Sequence, residues 1–196
     1  MRRIEALEHL VALTEHDPLV VTCAATSREL ASIADRDNHL YLLDSMGLVG
    51  SVATGLAIAA EGSDVRKVIG IEGDGSLLMN PNVLPTGGFL APSRLFIVLL
   101  DNRVYGSTAG LPTYADRIDL GALAAASGWT TGTADDPASL RSEFARLVEA
   151  PGPTLLHVRI EAGNAADIAK LLIDPVSITL RFTAWMTARL PQRVVS

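Results

Sequence analysis

The sequence predicts a doubly wound α/β fold, in which a mostly parallel sheet carries helices on both faces. Short runs of consecutive apolar residues alternate along the chain with alanine-rich segments or segments of helical periodicity. Because these runs are apolar at consecutive and not alternate positions, each strand is expected to be covered on both faces. Strands that alternate with helices are joined by right-handed crossovers, which makes the sheet parallel.

The predicted elements follow one another in a regular order. Residues Ile4, Leu7, Leu10 and Val11 recur at helical spacing, which indicates an amphipathic first helix and not a signal peptide. Five strands are predicted at residues 18–23, 39–43, 67–71, 94–100 and 154–160. Helical segments are predicted near residues 27–35, 46–61, 76–90, 119–127 and 137–149, and a last helix at about 175–190, where an Asp-Pro pair favours a helix start.

Composition sets the class of protein. The 196 residues are 48% hydrophobic and 19% charged, which is typical of one globular domain, here residues 1–196. Sixteen Lys and Arg against 22 Asp and Glu give a net charge of −6 without a basic block, so we expect no nucleic-acid partner. No apolar segment approaches the roughly 20 residues that span a bilayer. A single cysteine, Cys23, fits a reducing compartment, and the cytoplasm is the expected location.

The residues that follow the predicted strands are small, hydroxylated or amide-bearing. They read TCAATSREL, DSMGLVGS, EGDGS and DNRVYGSTAG. In a doubly wound sheet, ligands bind at the carboxyl ends of the strands. Many free backbone donors at such positions suit an anion, and phosphate is the natural candidate.

Two hard oxygen ligands follow two of these strands. Asp74 and Asn102 are 28 residues apart, and each comes directly after or close to an apolar run. Magnesium in proteins usually takes one or two carboxylates together with phosphates and water. The pair therefore predicts a clamp for a metal and a diphosphate. The alternative for each residue alone is structural, since Asp-Gly is a common turn and Asn102 with Asp101 could cap a loop.

The segment GDGSLLMNPNVLPTGGFLAPSRLFIVLLDN resembles the thiamine diphosphate motif, which joins Gly-Asp-Gly-Ser to an Asn pair some 25 to 30 residues later. The flanking blocks TSREL, SMG and DNRVYGSTAG are similar to those of the beta subunit of sulfopyruvate decarboxylase and of phosphonopyruvate decarboxylase. The similarity extends over about residues 2 to 183. The chain is thus identified as resembling the diphosphate-binding part of a thiamine diphosphate-dependent 2-oxo acid decarboxylase.

The resemblance implies a role for each matching position. Asp74, the Asn102 side chain and the Val104 carbonyl would ligate Mg²⁺, and Met46 would hold the cofactor in its bent shape. The backbone carbonyl of position 44 would accept from the cofactor amino group. The implied catalytic residues are Met46, Tyr105 and Thr108. The implied cofactor-binding residues are Thr26, Ser27, Asp44, Ser45, Met46, Gly73, Asp74, Gly75, Ser76, Asn102, Val104, Tyr105, Gly106 and Ser107.

Four positions depart from the pattern of the family. Asp44 and Ala24 stand where glycine is usual, Val83 where glutamate is common, and Asp101 where the first Asn of the pair is found. Tyr105 could serve packing instead of substrate binding, and Met46 could be a core filler.

The resemblance also implies a partner. In this family the glutamate that activates the cofactor belongs to a second domain, so we expect an alpha subunit and an α2β2 or larger assembly that decarboxylates a small 2-oxo acid. Two alternatives stay open, a non-catalytic or regulatory subunit and a carboligase that uses the same cofactor. A haloacid dehalogenase-type phosphatase is a weak alternative, because it needs an Asp-x-Asp nucleophile after its first strand and this sequence has none there. The substrate is undetermined, with Arg28, Arg103 and Arg117 as candidates for binding a sulfonate or phosphonate.

Overall fold

The structure, a computed structural model, describes residues 1–191, and the last five residues of the predicted domain lie outside this range. The strands are β1 (Leu19–Val21), β2 (His39–Tyr41), β3 (Val68–Gly73), β4 (Leu95–Asp101), β5 (Val104–Tyr105), β6 (Leu111–Pro112), β7 (Thr130–Ala134) and β8 (Thr154–Arg159). The helices are α1 (Arg3–Leu13), α2 (Ala25–Ile33), α3 (Val49–Ala59), α4 (Asp74–Leu77), α5 (Val83–Leu90), α6 (Leu120–Ala126), α7 (Pro137–Glu149) and α8 (Pro175–Thr187), with a 3₁₀ turn at Tyr114–Asp116.

Six strands form one parallel sheet in the order β2-β1-β3-β4-β8-β7, and β5 and β6 form a short antiparallel hairpin. The chain moves from β1 to β2 on one side and then resumes with β3 on the other side of β1. The strand order therefore reverses between β1 and β3. In open α/β sheets such a switch point leaves a crevice at the carboxyl ends of the strands.

Apolar cores cover both faces of the sheet. On one face, α1, α2, α7 and α8 contribute buried side chains that include Leu7, Leu30, Phe144 and Ile178. On the other face, the core holds apolar side chains of α3, α5 and α6, among them Ala53, Leu84 and Leu120. Strand β4 is buried at all seven positions, which explains its uninterrupted apolar run.

The predicted fold class is confirmed, and the five predicted strands correspond to β1, β2, β3, β4 and β8. The structure adds β7 at the sheet edge and the β5–β6 hairpin, and it ends the last helix at Thr187. The helix predicted over 76–90 is instead two helices, α4 and α5. Asn80 precedes Pro81, and the residue before a proline disfavours the helical conformation. No helix among residues 1–191 combines the length and the apolar character needed to cross a membrane.

Candidate functional site

A cavity lies at the switch point of the sheet. Its walls come from the segments that follow β1, β3 and β4, which the parallel sheet brings to one edge. Most of the residues predicted from the sequence line it together: Thr26, Met46, Gly73, Asp74, Gly75, Ser76, Asn102, Val104, Tyr105, Gly106 and Ser107.

Asp74 begins α4 directly after β3, and its side chain is buried. Thr113 donates a hydrogen bond of 2.5 Å from its hydroxyl to Asp74 Oδ2. Burial raises the pKa of Asp74, the neighbouring carboxylate of Asp101 raises it further, and the hydrogen bond from Thr113 lowers it. A buried carboxylate beside a second carboxylate is stabilised when a cation binds next to it, so this environment suits a metal ligand.

The loop after β4 is ordered by its own acidic and amide side chains. Asn102 Oδ1 accepts a hydrogen bond of 3.0 Å from the backbone N–H of Val104. Asp101 Oδ1 accepts one of 3.0 Å from the backbone of Arg103, and Asp101 Oδ2 lies 2.8 Å from Nε2 of His157. The loop-capping alternative is therefore correct for both residues. It does not exclude ligation by Asn102, because an amide oxygen has a second lone pair.

Ser76 joins three segments of the cavity wall. Its buried hydroxyl accepts a hydrogen bond of 3.1 Å from the Thr22 hydroxyl and one of 2.9 Å from the backbone of Gly47. The side-chain amide of Asn80 in turn donates to the carbonyl of Gly47 at 3.1 Å. These bonds fix the loop that carries Met46, which is half-buried and lines the cavity.

Helix α2 points its first turn at the cavity. Ala24 is its N-cap residue and has no side-chain oxygen, so no side chain caps the free N–H groups of this turn. Such groups are available to an external acceptor. Ala24 has φ 63° and ψ −128°, and Asp44 has φ 54°. These are two of the positions where the family pattern has glycine, the residue that adopts a positive φ without a steric penalty.

Four predicted site residues do not line the cavity. Ser27 is buried, and its hydroxyl donates to the carbonyl of Thr22. Asp44 and Ser45 lie in the turn before Met46, outside the cavity wall. The Thr108 hydroxyl donates to the carbonyl of Tyr105 at 2.8 Å on an exposed turn. The hairpin therefore directs Thr108 into a local bond, and its predicted catalytic role gains no support from this geometry.

Tyr105 packs against the backbone of the metal motif. A Cβ atom added to Gly75 would lie 2.5 Å from Cε1 of Tyr105, which is closer than real contacts allow. The glycine therefore makes room for the aromatic ring. The packing alternative for Tyr105 is correct, and the ring also lines the cavity.

Buried groups next to the cavity behave as core residues. Burial raises the pKa of Glu72 to about 7, and its carboxylate accepts from the backbone N–H of Gly73 at 3.0 Å. Cys23 lines the cavity with a half-buried thiol whose pKa is also raised by burial, which is the opposite of an activated thiolate. His157 is buried in β8.

No site role was predicted from the sequence for eight residues of the cavity wall: Arg3, Thr22, Cys23, Ala24, Ala25, Leu100, Ile160 and Asn164. The three arginines predicted for anion binding lie elsewhere. Arg103 and Arg117 are exposed, and Arg103 forms an ion pair of 3.7 Å with Asp116. Arg28 lines a separate shallow pocket. Arg3 comes from α1 and is paired with Glu29, 26 residues away, so no local pattern marks it.

The sequence of residues 24–158 matches the family described as thiamine pyrophosphate enzyme, C-terminal TPP binding domain. The chain belongs to the thiamine pyrophosphate enzyme family. The matched range begins at Ala24, the N-cap of α2, and ends in β8, so it contains the ends of β3 and β4 that line the cavity.

Relatives within this thiamine pyrophosphate enzyme family place the chain among decarboxylases. It is 40% identical over 183 residues to the sulfopyruvate decarboxylase subunit beta of Methanothermobacter thermautotrophicus, covering 93% of this chain and 94% of that protein. It is 37% identical over 190 residues to the phosphonopyruvate decarboxylase of Streptomyces viridochromogenes, covering 94% of this chain but 46% of that protein. The chain thus spans nearly the whole of one relative and about half of the other.

Solved structures confirm the fold of this family member. The thiamine diphosphate-dependent 4-hydroxybenzoylformate decarboxylase of Rhodococcus jostii superposes with a TM-score of 0.71 at 23% identity, over 84% of this chain and 33% of that chain. At this identity the likeness concerns the fold alone. The chain corresponds to about a third of the length of that enzyme.

Proposed function

We propose that this chain is the diphosphate- and Mg²⁺-binding subunit of a two-subunit, thiamine diphosphate-dependent decarboxylase that acts on a 3-sulfo, 3-phosphono or related 2-oxo acid. The observation that carries the proposal is the cavity at the β1/β3 switch point. There the structure brings together Thr26, Met46, Asp74, Ser76 and Asn102, which come from four separate segments of the chain.

The residues of the cavity fit the proposed metal and cofactor. Asp74 supplies one buried carboxylate, and Asn102 and the carbonyl of Val104 supply neutral oxygens, a donor set typical of Mg²⁺ that shares phosphate ligands. The uncapped first turn of α2 and the hydroxyl of Thr26 suit the phosphate oxygens. When bound, thiamine diphosphate supplies the electron sink for loss of carbon dioxide from a 2-oxo acid.

Four residues then position the site or its ligand. Thr113 holds Asp74 Oδ2 and so leaves the other carboxylate oxygen for the metal. Ser76 keeps the strand ends of β1 and β3 together. Met46 lines the cavity on its fixed loop, and the Tyr105 ring packs on the side formed by Gly75. These groups orient a ligand and exclude water, and none of them is placed to transfer a proton.

The acids of the cavity support a shared active site. Among residues 1–191, the acidic side chain that lines the cavity is Asp74, and no glutamate does so. Glu72 is buried beneath the metal motif, and Glu29 is engaged by Arg3. We therefore assign the cofactor-activating glutamate to an alpha subunit. The beta-subunit name of the relative from Methanothermobacter thermautotrophicus supports a heteromeric assembly, which we propose to be α2β2 or larger and cytoplasmic.

Exposed apolar side chains beside the cavity support the same partner. Leu48, next to the Met46 loop, is 45% exposed, and Met79 is 57% exposed. Ile58 and Leu90 border a shallow groove that also includes Asn80, which is bonded to the Met46 loop. Several exposed apolar side chains near a site are typical of a protein interface. We infer that the alpha subunit covers this surface.

Activity of the purified chain and of its complex tests the proposal. The chain alone, with thiamine diphosphate and Mg²⁺, should not decarboxylate sulfopyruvate, phosphonopyruvate or pyruvate, and the complex with the alpha subunit should. Turnover by the isolated chain at the rate of the complex would refute the shared site. A preference for plain pyruvate over both anionic substrates would refute the proposed substrate class.

Cofactor binding tests the metal site independently of turnover. The substitution Asp74→Ala should remove calorimetric binding of thiamine diphosphate in the presence of Mg²⁺, because it deletes the charged ligand. The control Asp116→Ala removes an exposed carboxylate outside the cavity and should bind normally. Wild-type affinity in the Asp74→Ala variant would contradict the metal assignment. Absence of binding in the wild-type complex would favour the non-catalytic alternative.

A further inference from the structure

Arg3 is a buried cation in the wall of the cavity. Its side chain is 8% exposed, although α1 otherwise turns its charged residues outward. Nε and Nη2 of Arg3 donate to the two carboxylate oxygens of Glu29 at 3.0 and 2.7 Å, and Nη2 also donates to Oδ1 of Asn164 at 2.8 Å. The guanidinium is therefore held in one orientation by two partners.

The remaining nitrogen of this guanidinium is Nη1. Within residues 1–191, Nη1 of Arg3 has no protein hydrogen-bond partner, and it is not among the atoms sealed away from solvent. Glu29 is held in its orientation by a further contact, since Glu29 Oε1 also accepts from the backbone N–H of Ala165 at 3.0 Å. A buried guanidinium with unused donors is costly unless a ligand or water satisfies it.

The charges of the two adjacent cavities favour the cofactor cavity as the site of a ligand that binds Nη1 of Arg3. Arg3 and Asn164 stand between this cavity and a second one. The second cavity is lined by Arg2 as well as Arg3, and the carboxylates of Glu29 and Glu161 balance these two positive charges. In the cofactor cavity, Arg3 is the cationic side chain among the described residues, and the one acid there, Asp74, is assigned to the metal. The uncapped first turn of α2 faces the same space.

We infer that Arg3 is an anion-binding residue of the active site, whose Nη1 donates to an oxyanion of the bound ligand. The oxyanion is the terminal phosphate of the cofactor or the second anionic group of the substrate. The inference rests on the proposed function, because that function supplies the ligand. Glu29 and Asn164 are positioning residues that hold the guanidinium toward the cavity.

Calorimetry on the complex of this chain with the alpha subunit tests the cofactor source, with inorganic diphosphate and thiamine diphosphate as probes in the presence of Mg²⁺. Arg3→Gln should weaken binding by about 10- to 100-fold, the range expected for loss of one charge-assisted hydrogen bond. Arg3→Lys keeps a cation and should recover part of the affinity. The matched control is Arg2→Gln, since Arg2 is exposed and lies outside this cavity.

A second variant separates binding from folding. Arg3→Gln alone leaves Glu29 buried without its partner, which destabilises a protein. The double variant Arg3→Gln/Glu29→Gln removes both charges and should keep the cooperative thermal transition while losing the same affinity. The inference would be overturned by a double variant that folds and that binds both the diphosphate probes and the methylphosphonate described below as tightly as the wild type.

The substrate source is tested by titrating methylphosphonate into the complex saturated with Mg²⁺ and thiamine diphosphate, followed by ³¹P NMR. Unchanged cofactor affinity together with loss of methylphosphonate binding in Arg3→Gln would assign Arg3 to the substrate. If neither ligand is affected while Asp74→Ala still abolishes cofactor binding, the Arg3 inference fails and the proposed function stands. If the wild-type complex binds no diphosphate at all, the proposed function fails, and the inference fails with it.

Discussion

Replacing Ala24 by glycine should stabilise the protein, contrary to the usual effect of Ala→Gly. Ala24 has φ 63° and ψ −128°, a conformation in which its Cβ clashes with the backbone and which glycine adopts freely. The residue is exposed, so its methyl group contributes little packing that the substitution would lose. The family pattern with glycine at this position has the same physical cause.

The size of the effect follows from two opposing contributions. A residue held in such a conformation costs about 1–3 kcal/mol. Glycine in turn lowers the free energy of unfolding by about 0.4–1 kcal/mol, because it makes the unfolded chain more flexible. The expected net gain in the free energy of unfolding is therefore about 0.5–2 kcal/mol. For a chain of this length, each kcal/mol raises Tm by about 2–4 °C.

Urea unfolding followed by circular dichroism measures this gain, and Ala125→Gly provides the control. Ala125 is exposed in the last turn of α6, where glycine should cost up to about 1 kcal/mol. Asp44→Gly should give a smaller gain than Ala24→Gly, because aspartate tolerates the left-handed region better than alanine. If Ala24→Gly lowered stability by as much as Ala125→Gly, the explanation from backbone strain would be wrong.

Two further predictions concern packing and pH. Gly75→Ala should lower the free energy of unfolding by about 1–3 kcal/mol, because the new methyl group overlaps the ring of Tyr105. In a double-mutant cycle by urea unfolding, Tyr105→Ala should relieve this loss, and additive effects would contradict the contact. Burial lowers the pKa of His39 to about 4, below its unfolded value, so the unfolded state binds more protons and stability should fall between about pH 6.5 and pH 4, by up to about 3 kcal/mol. His39→Gln should flatten this fall in urea titrations at about pH 7 and pH 5, and an unchanged slope would exclude His39 as its source.

The sequence could predict the strands that lie inside the sheet. Strands such as β4 are buried on both faces and must be apolar throughout, so they stand out in the sequence. Strand β7 was missed because it is an edge strand. Its sequence, TTGTA, is buried only at Ala134, and an edge strand needs no apolar run. The boundary between α4 and α5 was missed although Pro81 marks it.

The candidate site was predictable where its residues follow strands in sequence, as Asp74 and Asn102 do. Residues that reach the cavity through pairing between distant helices carry no such signal. Arg3 looks like one charged residue of an amphipathic helix, and only the contact with Glu29 shows that it is buried. Thr108 is an example of the opposite error, a residue predicted for the site that does not line it. Its position in the sequence is close to site residues, but this does not reveal that its hydroxyl donates to the carbonyl of Tyr105 in the same turn.

The contact between Asp101 and His157 fixes a proton whose position can be observed. The Asp101 carboxylate, which accepts from the backbone of Arg103 at one oxygen, can only accept at the other, so Nε2 of a neutral His157 carries the hydrogen. Nδ1 then carries no hydrogen, and its lone pair has no hydrogen-bond partner within residues 1–191. Any rotation of the loop after β4 that moved Asp101 would redistribute the two tautomers. The ¹⁵N chemical shifts of the His157 imidazole would therefore report the state of this loop without a label on any ligand.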